Sequence, residues 1–284
     1  MNYKLHSDKL SVSINSKGAE LSSVVRDGLE YIWQAKPEVW PRHAPVLFPI
    51  VGRLKNNTFV HNGKGYTLPQ HGFARDKEFS LVGQGPNEIS FGLVSSEKTK
   101  NVFPFEFDLV ITYTVKSDTI TCSYEIKNPS FEDLFFSIGA HPGFATPDGL
   151  NNYVLKFKTD KQYEITLLRE GLLSDTKEKF HVHAGEVNLN STLFDKDALV
   201  FENSQIDVIE LISAKSGRGV ELSCPNWPYF GIWSKNDCSD FVCLEPWCGI
   251  TDSTDAKEDI STKKGIIKLE SGKKFECNFS MRFF

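Results

Sequence analysis

Two side chains stand where an apolar run stops. Phe135-Phe136-Ser137-Ile138-Gly139-Ala140 leads to His141, and Pro142-Gly143-Phe144 turns the chain away. Phe241-Val242-Cys243-Leu244 leads to Glu245, followed by Pro246-Trp247. A strand feeding an abrupt turn holds one titratable group at the lip of a sheet. An imidazole, with an unperturbed pKa of about 6.5, suits proton transfer near neutral pH. A glutamate at the end of a buried strand is costly unless it has a hydrogen-bonding or catalytic task. Trp247 beside it offers a flat apolar face of the kind on which sugars stack through their C–H groups. Each residue alone also suits a structural role at a strand end.

Two further stretches gather polar groups on turns, where binding groups usually sit over a rigid sheet. Pro41-Arg42-His43-Ala44-Pro45-Val46-Leu47-Phe48-Pro49-Ile50-Val51-Gly52-Arg53 carries three prolines, which prevent a central strand, and ends in an arginine next to a glycine. Leu68-Pro69-Gln70-His71-Gly72-Phe73-Ala74-Arg75-Asp76 packs amide, imidazole, guanidinium and carboxylate into one turn. Trp233, in Pro228-Tyr229-Phe230-Gly231-Ile232-Trp233, is a candidate pocket wall as well as a candidate core residue. His181-Val182-His183 places two imidazoles on one face of an expected strand, but no third ligand lies close in sequence. Glycine-rich phosphate loops, GxSxG and HExxH are absent from the sequence.

These groups need a scaffold, and period two supplies it. Leu109, Ile111, Tyr113 and Val115 alternate with polar neighbours, Val110 being the one exception. After Lys116-Ser117-Asp118 the pattern resumes with Ile120, Cys122, Tyr124 and Ile126, a hairpin with one buried face. Phe275, Cys277, Phe279, Met281 and Phe283 repeat it at the C-terminus, a strand expected in a sheet interior. Further strands are expected at Leu10–Ile14, Ala19–Arg26, Thr58–Val60, Glu88–Val94, Tyr153–Lys158, Tyr163–Leu168, Ile206–Ile212, Val220–Ser223, Tyr229–Trp233 and Phe241–Leu244. Ala35–Trp40 and Asp195–Ala198 are each expected to make a short turn of helix. The pattern is all-β, a sandwich or barrel, and one continuous domain over residues 1–284 is the simplest account.

Composition bounds the rest. The chain has 284 residues, 40% hydrophobic and 24% charged, with a formal net charge of -5, so nothing in it asks for nucleic acid or an anionic membrane. The N-terminus has no apolar signal region and no run approaches the roughly 18 residues of a membrane helix, which points to a cytoplasmic protein. Of six cysteines, Cys238, Cys243 and Cys248 are spaced five apart and no CxxC occurs. Reduced thiols and no structural zinc are expected.

In order along nearly the whole chain, Gly18-Ala19-Glu20-Leu21, the Arg53 loop, the Gln70–Arg75 loop, Gly139–Phe144, Pro228–Trp233 and Cys243–Gly249 resemble the aldose 1-epimerase (galactose mutarotase-like) family. The likeness is nearest to a bacterial branch of aldose-epimerase-related proteins. The resemblance implies a large antiparallel β-supersandwich with very little helix, a sugar site in a cleft on one sheet, and no metal or organic cofactor. It implies His141 as general acid and Glu245 as general base. Arg53 and His71 would bind sugar hydroxyls or the ring oxygen, Asp197 would bind substrate with Asp195 as its rival, and Trp233 would wall the pocket. The implied activity is interconversion of α and β anomers of a free aldohexose. Arg75 resembles the hexose-phosphate branch, so a hexose 6-phosphate is the alternative substrate. A non-catalytic sugar-binding protein and a glycoside hydrolase are the other rivals. The partner implied is a small sugar, with no nucleic acid or membrane partner; a homodimer is left open.

Overall fold

The computed structural model describes residues 1–159, 161–235 and 240–284. Alternation builds its sheets as expected. In Asp108–Lys116 and Thr119–Lys127 every second residue is buried, and the two strands pair antiparallel across Ser117-Asp118. Lys274–Phe283 lies between Thr119–Lys127 and Gly219–Ser223, inside a nine-stranded sheet, as its pattern requires. The longest α-helix among the described residues is Glu97–Lys100, and none is long and apolar enough to cross a membrane.

A second large sheet carries the candidate site. Its order is Leu172–Phe180, Tyr163–Arg169, Leu199–Glu202, Tyr229–Trp233, Phe241–Cys248, Ile138–Ala140 and Val46–Leu47, with Gly143–Ala145 also paired to Phe241–Cys248. One continuous buried cluster draws on both sheets: Ile111, Cys122 and Phe279 from the first meet Phe230, Ile232, Val242 and Leu244 from the second. Phe241, Cys243 and Trp247 belong instead to two smaller clusters on the opposite face. Phe241–Cys248 is therefore covered on both sides, which is why it reads as an unbroken apolar run rather than an alternating one.

Three expectations shift. The strand read as Phe241–Leu244 continues through Glu245-Pro246-Trp247 to Cys248, so Glu245 lies within a strand and not at its end. Ala35–Trp40 forms a single hydrogen-bonded turn, with the Trp40 N–H donating to the Lys36 carbonyl at 2.9 Å, but no helix. The other helical turn falls just before its expected place, at Ser191–Phe194, where the Asn190 side chain caps the Leu193 N–H.

Candidate active site

A gap in the sheet brings the two titratable groups together. On one side Phe241–Cys248 pairs continuously with Tyr229–Trp233. On the other its neighbour is split: Ile138–Ala140 pairs with Trp247 and Cys248, Gly143–Ala145 pairs with Phe241 to Cys243, and His141-Pro142 lies between. The Leu244 N–H points into this gap and reaches the Pro142 carbonyl at 3.3 Å. Alternate N–H groups of a strand point the same way, so the position of Pro246 faces the same gap, where no ladder partner waits. A proline in a central strand is tolerated for that reason. Glu245, two residues from Cys243 and Trp247, takes their face, and His141 sits opposite it with Nε2 3.2 Å from Oε2.

Aromatic rings lock this pair in place. Trp40 stacks on His141 at 4.9 Å between centroids, Trp233 meets it edge-on at 5.8 Å, and His71 edge-on at 5.6 Å. A Cβ on Gly143 would lie 2.8 Å from the Trp40 ring, so the glycine after His141-Pro142 is the seat for that indole. Trp247 lies across Gly139 and Gly231 on the flanking strands, where added Cβ atoms would stand 2.8 and 2.5 Å from its ring. The Glu20 carboxylate accepts from the His43 and Ala44 N–H groups at 2.9 and 3.0 Å, which anchors the loop that follows Trp40.

A cavity of about 260 Å³ opens over the pair, a size that suits one small ring. His141, Glu245, His71, Arg75, Asp197 and Trp233 all line it. Asp197, at φ 76°, holds the Ala198 N–H through Oδ1 at 2.8 Å and lines the cavity; Asp195 is exposed and does not line it. His71 accepts the Gly52 N–H on Nδ1 at 3.1 Å, which puts the proton of the neutral ring on Nε2; the Gln70 amide nitrogen 3.3 Å away is a donor too, so in this orientation it does not accept that proton. Arg75 donates to the Gln70 carbonyl at 2.6 Å. Arg53 is not among the lining side chains. Its guanidinium donates to the Glu170 carbonyl at 3.1 Å, beside the Gly171 turn that edges the cavity. Trp40, Gln70 and Trp247 also line it. Trp40 had no signal in the sequence beyond an aromatic in a turn, since its partner His141 lies about a hundred residues away.

Burial governs the electrostatics. His141 is held down to about 3 by desolvation, with the fields of Arg75 and Arg42 adding and a contact to its own backbone opposing. Desolvation lifts Glu245 well above the usual carboxylate range; the Trp247 indole opposes this and the Asp197 charge adds to it. That indole N–H is near enough to favour the charged carboxylate but makes no well-formed hydrogen bond. His71 is likewise pushed well below its ordinary value, by burial first and then by His141 and the two arginines. Four cavity-lining groups keep a buried polar atom without a hydrogen-bond partner: His141 Nδ1, Glu245 Oε2, Trp247 Nε1 and Arg75 Nε. Such atoms are rare in folded interiors and mark a site built for a polar ligand.

Other candidates lie elsewhere. Asp252 is engaged by Lys263 Nζ at 2.8 Å and the Lys55 N–H at 2.9 Å, so it is not a second carboxylate facing Glu245. His181 and His183 fall beyond the strand Leu172–Phe180 and belong to no ligand cluster among the described residues. Cys238 lies outside the described residues. Cys122, Cys224, Cys243, Cys248 and Cys277 form no disulfide among the described residues.

Comparison with known proteins shows the family and the fold. A family profile described as Aldose 1-epimerase matches residues 1–282. The chromosomal LacX protein of Lactococcus lactis subsp. lactis is 30% identical over 283 residues, 95% of each chain. The X-ray structure of a galactose mutarotase related enzyme from Lactobacillus acidophilus superposes with a TM-score of 0.96 at 34% identity, covering 100% of this chain and 97% of that one. A galactose mutarotase-like protein from Lactobacillus casei gives 0.92 at 26% identity over the full length of both.

Proposed function

The chain belongs to the aldose 1-epimerase family, and from that premise we propose that it interconverts the α and β anomers of a free aldohexose. The observation that carries this reading is the His141–Glu245 pair, 3.2 Å apart on the floor of a cavity sized for one ring. The oxygens to be deprotonated and protonated, O1 and ring O5, sit on one anomeric carbon, so acid and base must be close neighbours.

Burial disfavours charge on both groups and so favours the imidazole and carboxylic acid forms of the pair. Those forms hold the same two protons as imidazolium and carboxylate. Sugar hydroxyls entering the cavity supply hydrogen bonds to the charged forms, and one proton crossing from Glu245 to His141 sets the reactive state. Glu245 then takes the O1 proton while His141 protonates O5; the C1–O5 bond breaks to the open-chain aldehyde. The C1–C2 bond turns, and the ring closes with the roles reversed, so no proton is consumed. The neutral His71 ring, Arg75 and Asp197 bind hydroxyls around the ring, and Trp233 and Trp247 supply apolar faces. Polarimetry of freshly dissolved α-aldohexoses tests the reading: the protein speeds the drift to equilibrium for at least one of them, and no acceleration for any overturns it.

One observation favours a second reading, a hexose 6-phosphate substrate. The Arg75 side chain is only 17% exposed, its Nε is unpartnered, and its nearest carboxylate, Asp76 at 4.0 Å, is held by Arg42 at 3.0 Å. Burial lowers Arg75 to about 10, still charged at neutral pH. A fork of this kind suits a phosphate. Competition by glucose 6-phosphate against the free hexose decides it, and under this reading Arg75→Gln loses the phosphate preference by more than about tenfold.

A further inference from the structure

Proton transfer leaves Cys243 without a task. It lies two residues before Glu245 on the same strand and face, fully buried under the pair. One ligand atom from each of His141, Cys243 and Glu245 falls within 4.8 Å of the others. In a tetrahedral zinc site with bonds of about 2.0 Å to nitrogen and oxygen, two such ligands stand about 3.3 Å apart. His141 and Glu245, at 3.2 Å, already hold that spacing. Sulfur bonds of about 2.3 Å place a thiolate about 3.5 Å from either partner, against a present separation of at most 4.8 Å.

We propose that His141, Cys243 and Glu245 form a binding site for a thiophilic divalent cation of the zinc type, and that the bound ion switches the protein off. The donor set decides the class of ion. Thiolate with imidazole and carboxylate suits Zn²⁺ or Cd²⁺ and not Mg²⁺ or Ca²⁺. The cysteine thiol proton, and the carboxyl proton where present, go to solvent as the ion binds. Three protein ligands leave the fourth position toward the cavity that His141 and Glu245 line. The ion ties up the nitrogen and oxygen that face each other across the pair. Binding itself is independent of the epimerase reading; the loss of activity rests on it.

The test uses the full-length, metal-stripped protein and Zn²⁺ alone. Equilibrium dialysis is expected to give one tight Zn²⁺ per chain. X-ray absorption of that form is expected to show a single sulfur ligand, a readout that needs no variant. Cys243→Ser, with its folding checked by circular dichroism, weakens binding by more than about tenfold. Cys248→Ser and Cys277→Ser leave it unchanged, which matters because those two thiols also adjoin each other. Zn²⁺ then stops anomerisation in the parent and a chelator restores it, while equal Mg²⁺ does nothing. Two sulfur ligands or none, unchanged affinity in Cys243→Ser, or full activity with the ion bound each overturn the proposal. Binding as described in a protein that never accelerates anomerisation supports the ion site and sinks the epimerase reading instead.

Discussion

Gly143→Ala probes how the fold holds His141. Gly143 has no left-handed backbone requirement, so alanine is conformationally permitted and the perturbation is steric alone. The new methyl would meet the Trp40 ring at 2.8 Å and the His43 carbonyl at 3.2 Å. Ordinary carbon contacts need about 3.5–4.0 Å, so Trp40 must retreat by about 0.7–1.2 Å. Trp40 is stacked on His141 at 4.9 Å and on Phe241 at 5.4 Å, so the imidazole loses the surface that fixes its plane. Overpacking of this size costs about 1–3 kcal/mol, and a displacement near 1 Å at a catalytic group costs about 10²-fold in rate. In a chain this long each kcal/mol lowers Tm by about 2–4 °C. Thermal unfolding by circular dichroism reads the first effect, and polarimetric kcat/KM the second. Trp40→Leu in the same chain makes room for the methyl, so the double variant should be less destabilised than the sum of the singles by about 0.5–3 kcal/mol. Parent-like Tm and rate in Gly143→Ala, or strict additivity with Trp40→Leu, would refute the seat assigned to that indole.

Two further outcomes are expected. His141 binds its proton at about 3 when folded against about 6.5 when unfolded, so between those values the unfolded chain holds more protons and stability climbs with pH. Glu245 is displaced the other way, so above about 4.5 the folded chain holds more protons and stability falls as pH rises. Glu245→Gln should remove that fall, gaining on the parent by at most about 1.4 kcal/mol per pH unit between about pH 5 and the folded pKa; a pH-independent difference by scanning calorimetry would contradict the assignment. Lys263, 2% exposed and paired with Asp252, is tested by Lys263→Met, which leaves a buried carboxylate and should cost about 3–5 kcal/mol in chemical denaturation, with Asp252→Asn recovering part of the loss; a cost below about 1 kcal/mol would show the pair is solvated.

Much of this molecule was legible in its residues where one physical rule dominates. Alternation exposed the Asp108–Lys127 hairpin and the interior C-terminal strand because burial on one face imposes period two. His141 and Glu245 stood out because a titratable group ending an apolar run needs a reason. The extent of the Glu245 strand was hidden because Pro246 imitates a terminator; only the split neighbour, invisible in sequence, lets a proline continue it. Trp40 was hidden for a similar reason. Its turn is local, but its stacking partner comes from a strand a hundred residues on. Arg53 was read as reaching into the cleft; its guanidinium bonds the Glu170 carbonyl, a tertiary contact no motif encodes. Asp197 was separable from Asp195 only once the backbone showed which of the two faces the cavity.

The central claim is that an imidazole and a carboxylate in contact act as one acid/base unit. Polarimetric rates for His141→Asn, Glu245→Gln and the double variant, on the best aldose substrate, measure it most directly. Each single variant is predicted to lose about 10²–10⁴-fold with the fold intact. The double variant is predicted to be scarcely slower than the worse single, as for groups that work as a unit. A folded single variant that keeps the parent rate, or two losses that multiply in the double, would contradict it.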